Sequence, residues 1–314
     1  MLPLQNQAGH LSAGKALHQG VERELELRFN LVRTEHVRNV MRSLRIRSSA
    51  DLSADRLRLA RSALQVDWLI SITLHDIDRR QIPAMTASAQ ILRADNGELF
   101  WSGLVGRSGL SGLPWLGLGV THRATDLARE VAQQLADAIE KAIGSTTSAN
   151  AIDLEGVEKW ALVPLSGLTP KNGTANAATI TEVVRDVGQE LGLQLVSPNI
   201  ISGILRSQET ILWGGATREL REALVTECDA GAILTGTVEI YEVTGSELEP
   251  EPRVGISLRL VDAATGNILW TGASERSGFH KKGPFGAGRI HSRGELARQL
   301  TKKLLVELQR SKSF

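Results

Sequence analysis

"ISLRLVDAATGNILWTG", residues 256–272, spells out a strand, a tight turn and a second strand. Ile256, Leu258 and Leu260 alternate with Ser257, Arg259 and Val261, the period-two pattern of a strand with one face turned to a core. Asp262 to Gly266 supplies turn formers: Gly266 suits the positive-φ position of a short loop, and the Asp262 carboxylate can accept a backbone N–H inside it. Ile268 to Thr271 resumes the strand and puts Trp270 on one defined face. Nearly the same text stands earlier, in "RADNGELFWSG" at 93–103, with Asp95, Gly97 and Trp101 in the corresponding places. A hairpin written twice raises the question of whether its whole unit is written twice.

The match extends almost end to end. "MLPLQN" at 1–6 faces "LVPLSG" at 162–167, and "FNLV" at 29–32 faces "LQLV" at 193–196. At that offset of 164 the apolar positions Val37, Val40 and Met41 fall on Ile201, Ile204 and Leu205, and "DWLISITLHDI" overlays "GAILTGTVEIY". Past the next turn the offset becomes 169, Trp101 to Trp270, because "VTGSELEPEPR" adds about five residues in what reads as a polar loop. From there His122 meets His291 and "LAREVAQQL" meets "LARQLTKKL". Self-similarity at this scale predicts a tandem duplication. The expected units are 1–143 and 158–314, with a linker of small polar residues at 144–157.

Each unit reads alike. A short strand (1–5; 160–166) leads to an amphipathic helix, a second strand (29–33; 193–197) and two short helices. Three longer strands follow (67–77, 83–94, 98–107; 231–243, 253–262, 267–276). A closing helix carries the stripe Leu127, Val131, Leu135 and Ile139, or Leu296, Leu300, Leu304 and Leu308. The fold class predicted is α/β (α+β): two similar domains, each a mixed β-sheet with a three-strand antiparallel meander, flanked by helices. Gly97, Trp101, Gly266 and Trp270 are read as structural signatures of that meander, with both tryptophans in cores.

The 314 residues carry a formal charge of +1, with 42% hydrophobic and 23% charged residues, which describes a soluble globular protein without the basic excess of a nucleic-acid binder. Arginines in "GVERELELRF" stand among acids at helical spacing and read as a solvated helix face. Cys228 is the single cysteine, which excludes an internal disulfide and a clustered-cysteine metal site. The opening "MLPLQNQAGH" shows no export signal and no lipid-accepting cysteine, and begins on what reads as a core strand.

Catalytic constellations are weak. Gly9, Gly14 and Lys15 satisfy G-x-x-x-x-G-K, so a nucleotide-binding enzyme is one alternative; Ala16, however, stands where a P-loop needs a hydroxyl for magnesium. The second unit keeps neither the spacing nor the Gly-Lys pair. "DAATGNILW" also resembles a propeller-blade repeat, but the period here is far longer than a blade and each unit contains helices. His122 and His291, the matched pair, lie just before the last helices without partners at ligand spacing, and no G-x-S-x-G arranges a nucleophile. The expectation is no catalytic residue, no cofactor and no metal.

Two loops look overexposed. "SGLSGLPWLGLGV" at 108–120 sets Leu110, Leu113, Trp115, Leu116 and Leu118 among glycines without a charge, and its counterpart "SGFHKKGPFGAGR" at 277–289 holds Phe279 and Phe285 among cations. Exposed apolar loops mark contact with a partner or a membrane; the alternative is a loop folded onto its own domain or the other copy.

The order of elements, with "WALVPLSG", "LQLVSPNIISGIL", "DAGAILTGTVEIYE", "ISLRLVDAATGNILWTG" and "ELARQLTKKLLVEL", resembles the bacterial envelope lipoprotein superfamily that includes the N-terminal domain of TolB, CsgG, LpoB and PelC. That resemblance covers nearly all of 158–310 and, more weakly, 1–142. It implies a periplasmic location, associated with the outer membrane, and non-enzymatic work as a scaffold or accessory protein of an envelope assembly: secretion, flagellar, polysaccharide-export or peptidoglycan-synthesis machinery. Protein partners, a homo-oligomeric ring and an outer-membrane contact are implied in the same way, and a secretion-channel or ring subunit is a further alternative. The chain departs from the family in lacking the lipid-bearing cysteine and the long amphipathic hairpins that make the CsgG pore.

Overall fold

The computed structural model describes residues 1–46, 52, 54–111, 119–146, 159–168, 173–208, 216–280 and 288–312. Its elements are β1 (Gln5–Asn6), α1 (Leu11–Glu26), α2 (Thr34–Ser43), α3 (Ala54–Leu64), β2 (Trp68–Asp78), β3 (Ala84–Arg93), β4 (Leu99–Ser108) and α4 (Ala124–Thr146). Then come β5 (Lys159–Leu162), β6 (Ser166–Gly167), α5 (Gly173–Glu190), α6 (Pro198–Ser207), α7 (Arg218–Cys228), β7 (Ala230–Gly245), β8 (Pro250–Asp262), β9 (Ile268–Ser277) and α8 (Arg293–Lys312).

The first sheet runs β1-β2-β3-β4 and the second β5-β7-β8-β9, with β6 also on β7. In both, short N-terminal strands lie parallel to the first meander strand and the meander itself is antiparallel. Local irregularities repeat as well. A register shift falls between Leu74 and Asp76 in β2 and between Val238 and Ile240 in β7, and the strand that follows the Gly turn is shifted in each sheet. Gly97 and Gly266 adopt φ of +74 and +80. Asp262 accepts the Thr265 N–H at 2.7 Å and Asp95 the Asn96 N–H at 2.8 Å, which holds each turn closed without water.

Packing follows from the stripes. Leu17, Val21 and Leu25 of α1 and Leu127, Val131, Leu135 and Ile139 of α4 lie on Ile72, Leu74, Ala87 and Ile91, all fully buried. Ile180, Val183, Val184 and Val187 of α5 and Leu296, Leu300 and Leu308 of α8 meet Leu234, Val238, Ile256 and Leu258 in the same manner. The α5–α8 pair also touches the other face of the first sheet, and Leu104 of β4 joins the second core. The layers therefore run helix pair, sheet, helix pair, sheet. Smaller clusters under α2–α3 and α6–α7 close one end of each sheet.

Three expectations are corrected. Residues 29–33 form no strand and 193–197 contribute a single bridge, Leu195 to Trp160, because these stretches run past the strand end where few backbone partners remain. The extra residues of the second unit are not a loop: they lengthen β7 and β8 to 16 and 13 residues around Gly245, at φ +80. Trp101 and Trp270 pack against the two cores but are only half-buried, since β4 and β9 are edge strands. Each indole lies instead across the glycine two residues on: a Cβ at Gly103 or Gly272 would come within 2.3 or 2.4 Å of it. The W-x-G spacing is a packing requirement of the strand edge.

Candidate interaction surfaces

The far face of the first sheet is polar yet closed. Ser71, Thr86, Ser88 and Ser102 are between 1% and 5% exposed, because α5 and α8 lie directly on them. Small side chains permit that approach. A Cβ at Gly106 would meet the Glu295 amide nitrogen at 2.5 Å, and one at Gly294 would meet Thr86 Oγ1 at 2.5 Å. The Gln189 side-chain oxygen accepts from both the amide and the hydroxyl of Ser102, at 2.7 and 2.8 Å, and Asp186 accepts from the Leu104 amide. The outward backbone donors of edge strand β4 are thus satisfied by side chains of α5.

Charges crossing this seam are paired. Arg293 reaches Asp76 at 3.2 Å and stacks over the Tyr241 ring at 4.9 Å, while the Tyr241 hydroxyl donates to the same carboxylate. Burial drives the Tyr241 pKa well up, and the Asp76 charge adds to it. Gln90 Nε2 donates to Glu182 at 2.7 Å. Burial works against the Glu182 charge, but Arg185, His75 and Gln90 together outweigh it and its pKa falls below the ordinary value. Asp186 goes the other way: burial lifts it to about 6 despite its 2.9 Å bond with Arg298.

His75 sits in this seam, with Nε2 2.7 Å from Ser88 Oγ and Nδ1 3.2 Å from Gln7 Oε1. The trio has the outline of a nucleophile, a base and an orienting group. Its burial argues for structure: Ser88 and His75 are 3% and 4% exposed, and the cleft of about 200 Å³ beside them is lined by His75, Gln7 and Gln90 but not by Ser88. Burial also lowers the His75 pKa, which keeps the ring neutral. Among the described residues no group of His, Cys, Asp and Glu could hold a metal ion, and no helix is long and apolar enough to cross a membrane.

The Gly9–Lys15 motif does not form a phosphate cradle. His10 caps α1 by accepting the Ala13 N–H at 3.2 Å, and the helix begins at Leu11, so residues 11–15 are helical where a P-loop would wrap a phosphate. His291 faces the Pro250 carbonyl at 3.4 Å and the Phe279 ring edge at 5.5 Å, while its counterpart His122 is exposed. Cys228 ends α7, donates to the Leu224 carbonyl at 2.9 Å and has its pKa raised by burial, the behaviour of a packing residue.

The bases of 108–120 and 277–289 lie at corresponding places in the two sheets. The first is pinned at its base by Gly109 N–H to the Pro83 carbonyl and Thr121 N–H to the Gly109 carbonyl, the second by Gly278 to Pro252 and Ile290 to Gly278. Their neighbouring hairpins interlock: Arg80 donates to the Val243, Thr244 and Gly245 carbonyls at 2.7, 3.0 and 3.2 Å, and the Gln81 amide to Glu247 at 3.0 Å. The described ends, Leu110 and Phe279, are half-buried, with Arg289 4.8 Å over the Phe279 ring. Leu113, Trp115, Leu116, Leu118 and Phe285 lie outside the described residues. Sequence reading missed the seam residues Asp76, Tyr241, Arg293 and Gln189; the available signal was β3, whose polar positions Thr86, Ser88 and Gln90 carry no charge where β8 has Arg259.

No protein-family model and no curated protein matches the chain. Solved structures with a similar unit include the PelC dodecamer from Paraburkholderia phytofirmans, at 19% identity, covering 48% of this chain and 85% of that one with a TM-score of 0.33. Lipoprotein GNA1162 from Neisseria meningitidis matches at 20% identity, covering 49% and 99%, with a TM-score of 0.35. The LpoB C-terminal domain from Escherichia coli matches at 13% identity, covering 43% and 91%, with a TM-score of 0.26. Each covers a little under half of this chain and most of its own length.

Proposed function

We propose that the chain is a non-enzymatic accessory or scaffold protein of a bacterial envelope assembly, working in the periplasm through protein–protein contacts made at the end where its two glycine-rich loops emerge. The same reading takes the two domains as a tandem duplication, divided at 144–157. One observation supports it: the β2–β3 and β7–β8 hairpins interlock, and the bases of 108–120 and 277–289 are pinned to the ends of those hairpins, at Pro83 and Pro252.

Fractionation of the source cell and affinity capture of the full chain test this. The protein should appear with periplasmic or outer-membrane material and recover envelope proteins, and Trp115→Ala with Phe285→Ala should abolish that recovery without lowering the melting temperature. A cytoplasmic protein, or recovery and liposome binding unchanged by both substitutions, would overturn it.

A further inference from the structure

The second sheet has the same far face as the first, and among the described residues most of it is exposed. Ser102 and Leu104 are buried on β4, whereas Thr271, Ala273 and Glu275, one register further round on β9, are exposed, as are Glu239 and Arg259. The helix pair that covers the first sheet also has an uncovered counterpart: α1 and α4 turn Gln19, Glu26 and Arg129 to solvent. We infer that the open face of the second sheet receives the α1–α4 face of a second copy of this chain, so that copies join head to tail by repeating the contact already made between the two domains. The inference rests on the repeat reading of the chain and is independent of which envelope partner it serves.

The contact can be written out pair by pair. Inside the chain Arg293 of α8 meets Asp76 beside the β-bulge; at the repeat positions Ala124 of α4 would meet Ile240, an apolar pair in place of an ionic one. Gly294 is forced to be glycine by Thr86; the repeat sets Thr125 against Gly255, so bulk and gap change sides. The ends of α1 and α5 align at an offset of 163, Leu25 on Gly188; at that offset Glu182, which accepts from Gln90, falls on Gln19, opposite Arg259. Gln189 accepts from Ser102, and the repeat offers the Glu26 carboxylate to Thr271. Glu275 replaces Gly106 and is held by Arg253 at 2.8 Å within its own sheet. Because the two faces differ, the contact is heterologous and extends through successive whole chains, closing only if the rotation per copy allows.

Sedimentation velocity of the full chain over a concentration series tests this, with Ala273→Arg blocking the sheet face and Gln19→Arg setting a like charge opposite Arg259. Both sites are exposed, so melting temperatures should match the wild type. The wild type should grow in whole-chain steps, each variant alone should stay monomeric, and the equimolar mixture of the two should give dimers and nothing larger, since it contains one intact sheet face and one intact helix face. A wild type that is monomeric throughout, oligomers indifferent to both substitutions, or a mixture without dimers would overturn the proposal.

Discussion

The two sheets share a strand order, a bulge and a turn, yet one buries its far face and the other leaves it in water. In the first, Thr86, Ser88 and Gln90 face a helix layer; in the second the same register holds Gly255, Ser257 and an exposed Arg259. The difference teaches that the pattern on a sheet's second face reports its neighbour rather than its fold. Small residues accompany a covering layer that must come close, and a charge there is paired across the seam, as Asp76 is with Arg293, whereas the exposed Arg259 marks a face that is open in the single chain.

Breaking the covered side should cost most where a buried charge loses its partner. Asp76→Ala strands Arg293 and the Tyr241 hydroxyl, and urea unfolding should show a loss of about 3–5 kcal/mol. Ile240→Ala, at the corresponding place on the open face, should cost about 1 kcal/mol because its side chain is only half-buried. Equal losses would mean that the two faces are not differently covered.

Steric closure gives the next contrast. Gly106→Ala drives a methyl group into the α8 backbone, for which an overpacking cost of about 2–3 kcal/mol is expected. Glu275→Ala on the open sheet should stay within about 0.5 kcal/mol in dilute, monomeric protein.

Asp186 sharpens the comparison through pH. Burial raises its folded pKa to about 6 from an ordinary 3.8, so the folded state holds a proton that the unfolded chain releases. Its contribution therefore favours folding below pH 3.8 and is lost as pH rises to about 6. Asp186→Asn does not titrate, and its stability relative to the wild type should rise by about 2 kcal/mol across that window, read from paired urea curves. A difference that stays flat would place Asp186 outside the seam.

Much of this was legible in the residues. Hairpin turns and the stripes of α4 and α8 depend on local chemistry, and Gly97 and Gly266 adopt the positive φ their turns require. The misreadings came from context. "FNLV" and "LQLV" have strand composition, but ladder formation needs a neighbour, and only Leu195 has one. Trp101 and Trp270 look like core residues until the sheet order shows them on edges. The seam stayed hidden because Asp76, Gln90 and Gln189 are ordinary polar residues whose partners lie 87 to 217 positions away along the chain.

Amide hydrogen exchange along the two edge strands tests the central claim most directly. Ser102 and Leu104 donate to Gln189 and Asp186, so β4 should be protected at every protein concentration, while Thr271 and Ala273 on β9 should exchange fast in dilute protein and become protected as concentration rises. Equal protection of both strands in dilute protein, or fast exchange at β9 that concentration does not change, would contradict it.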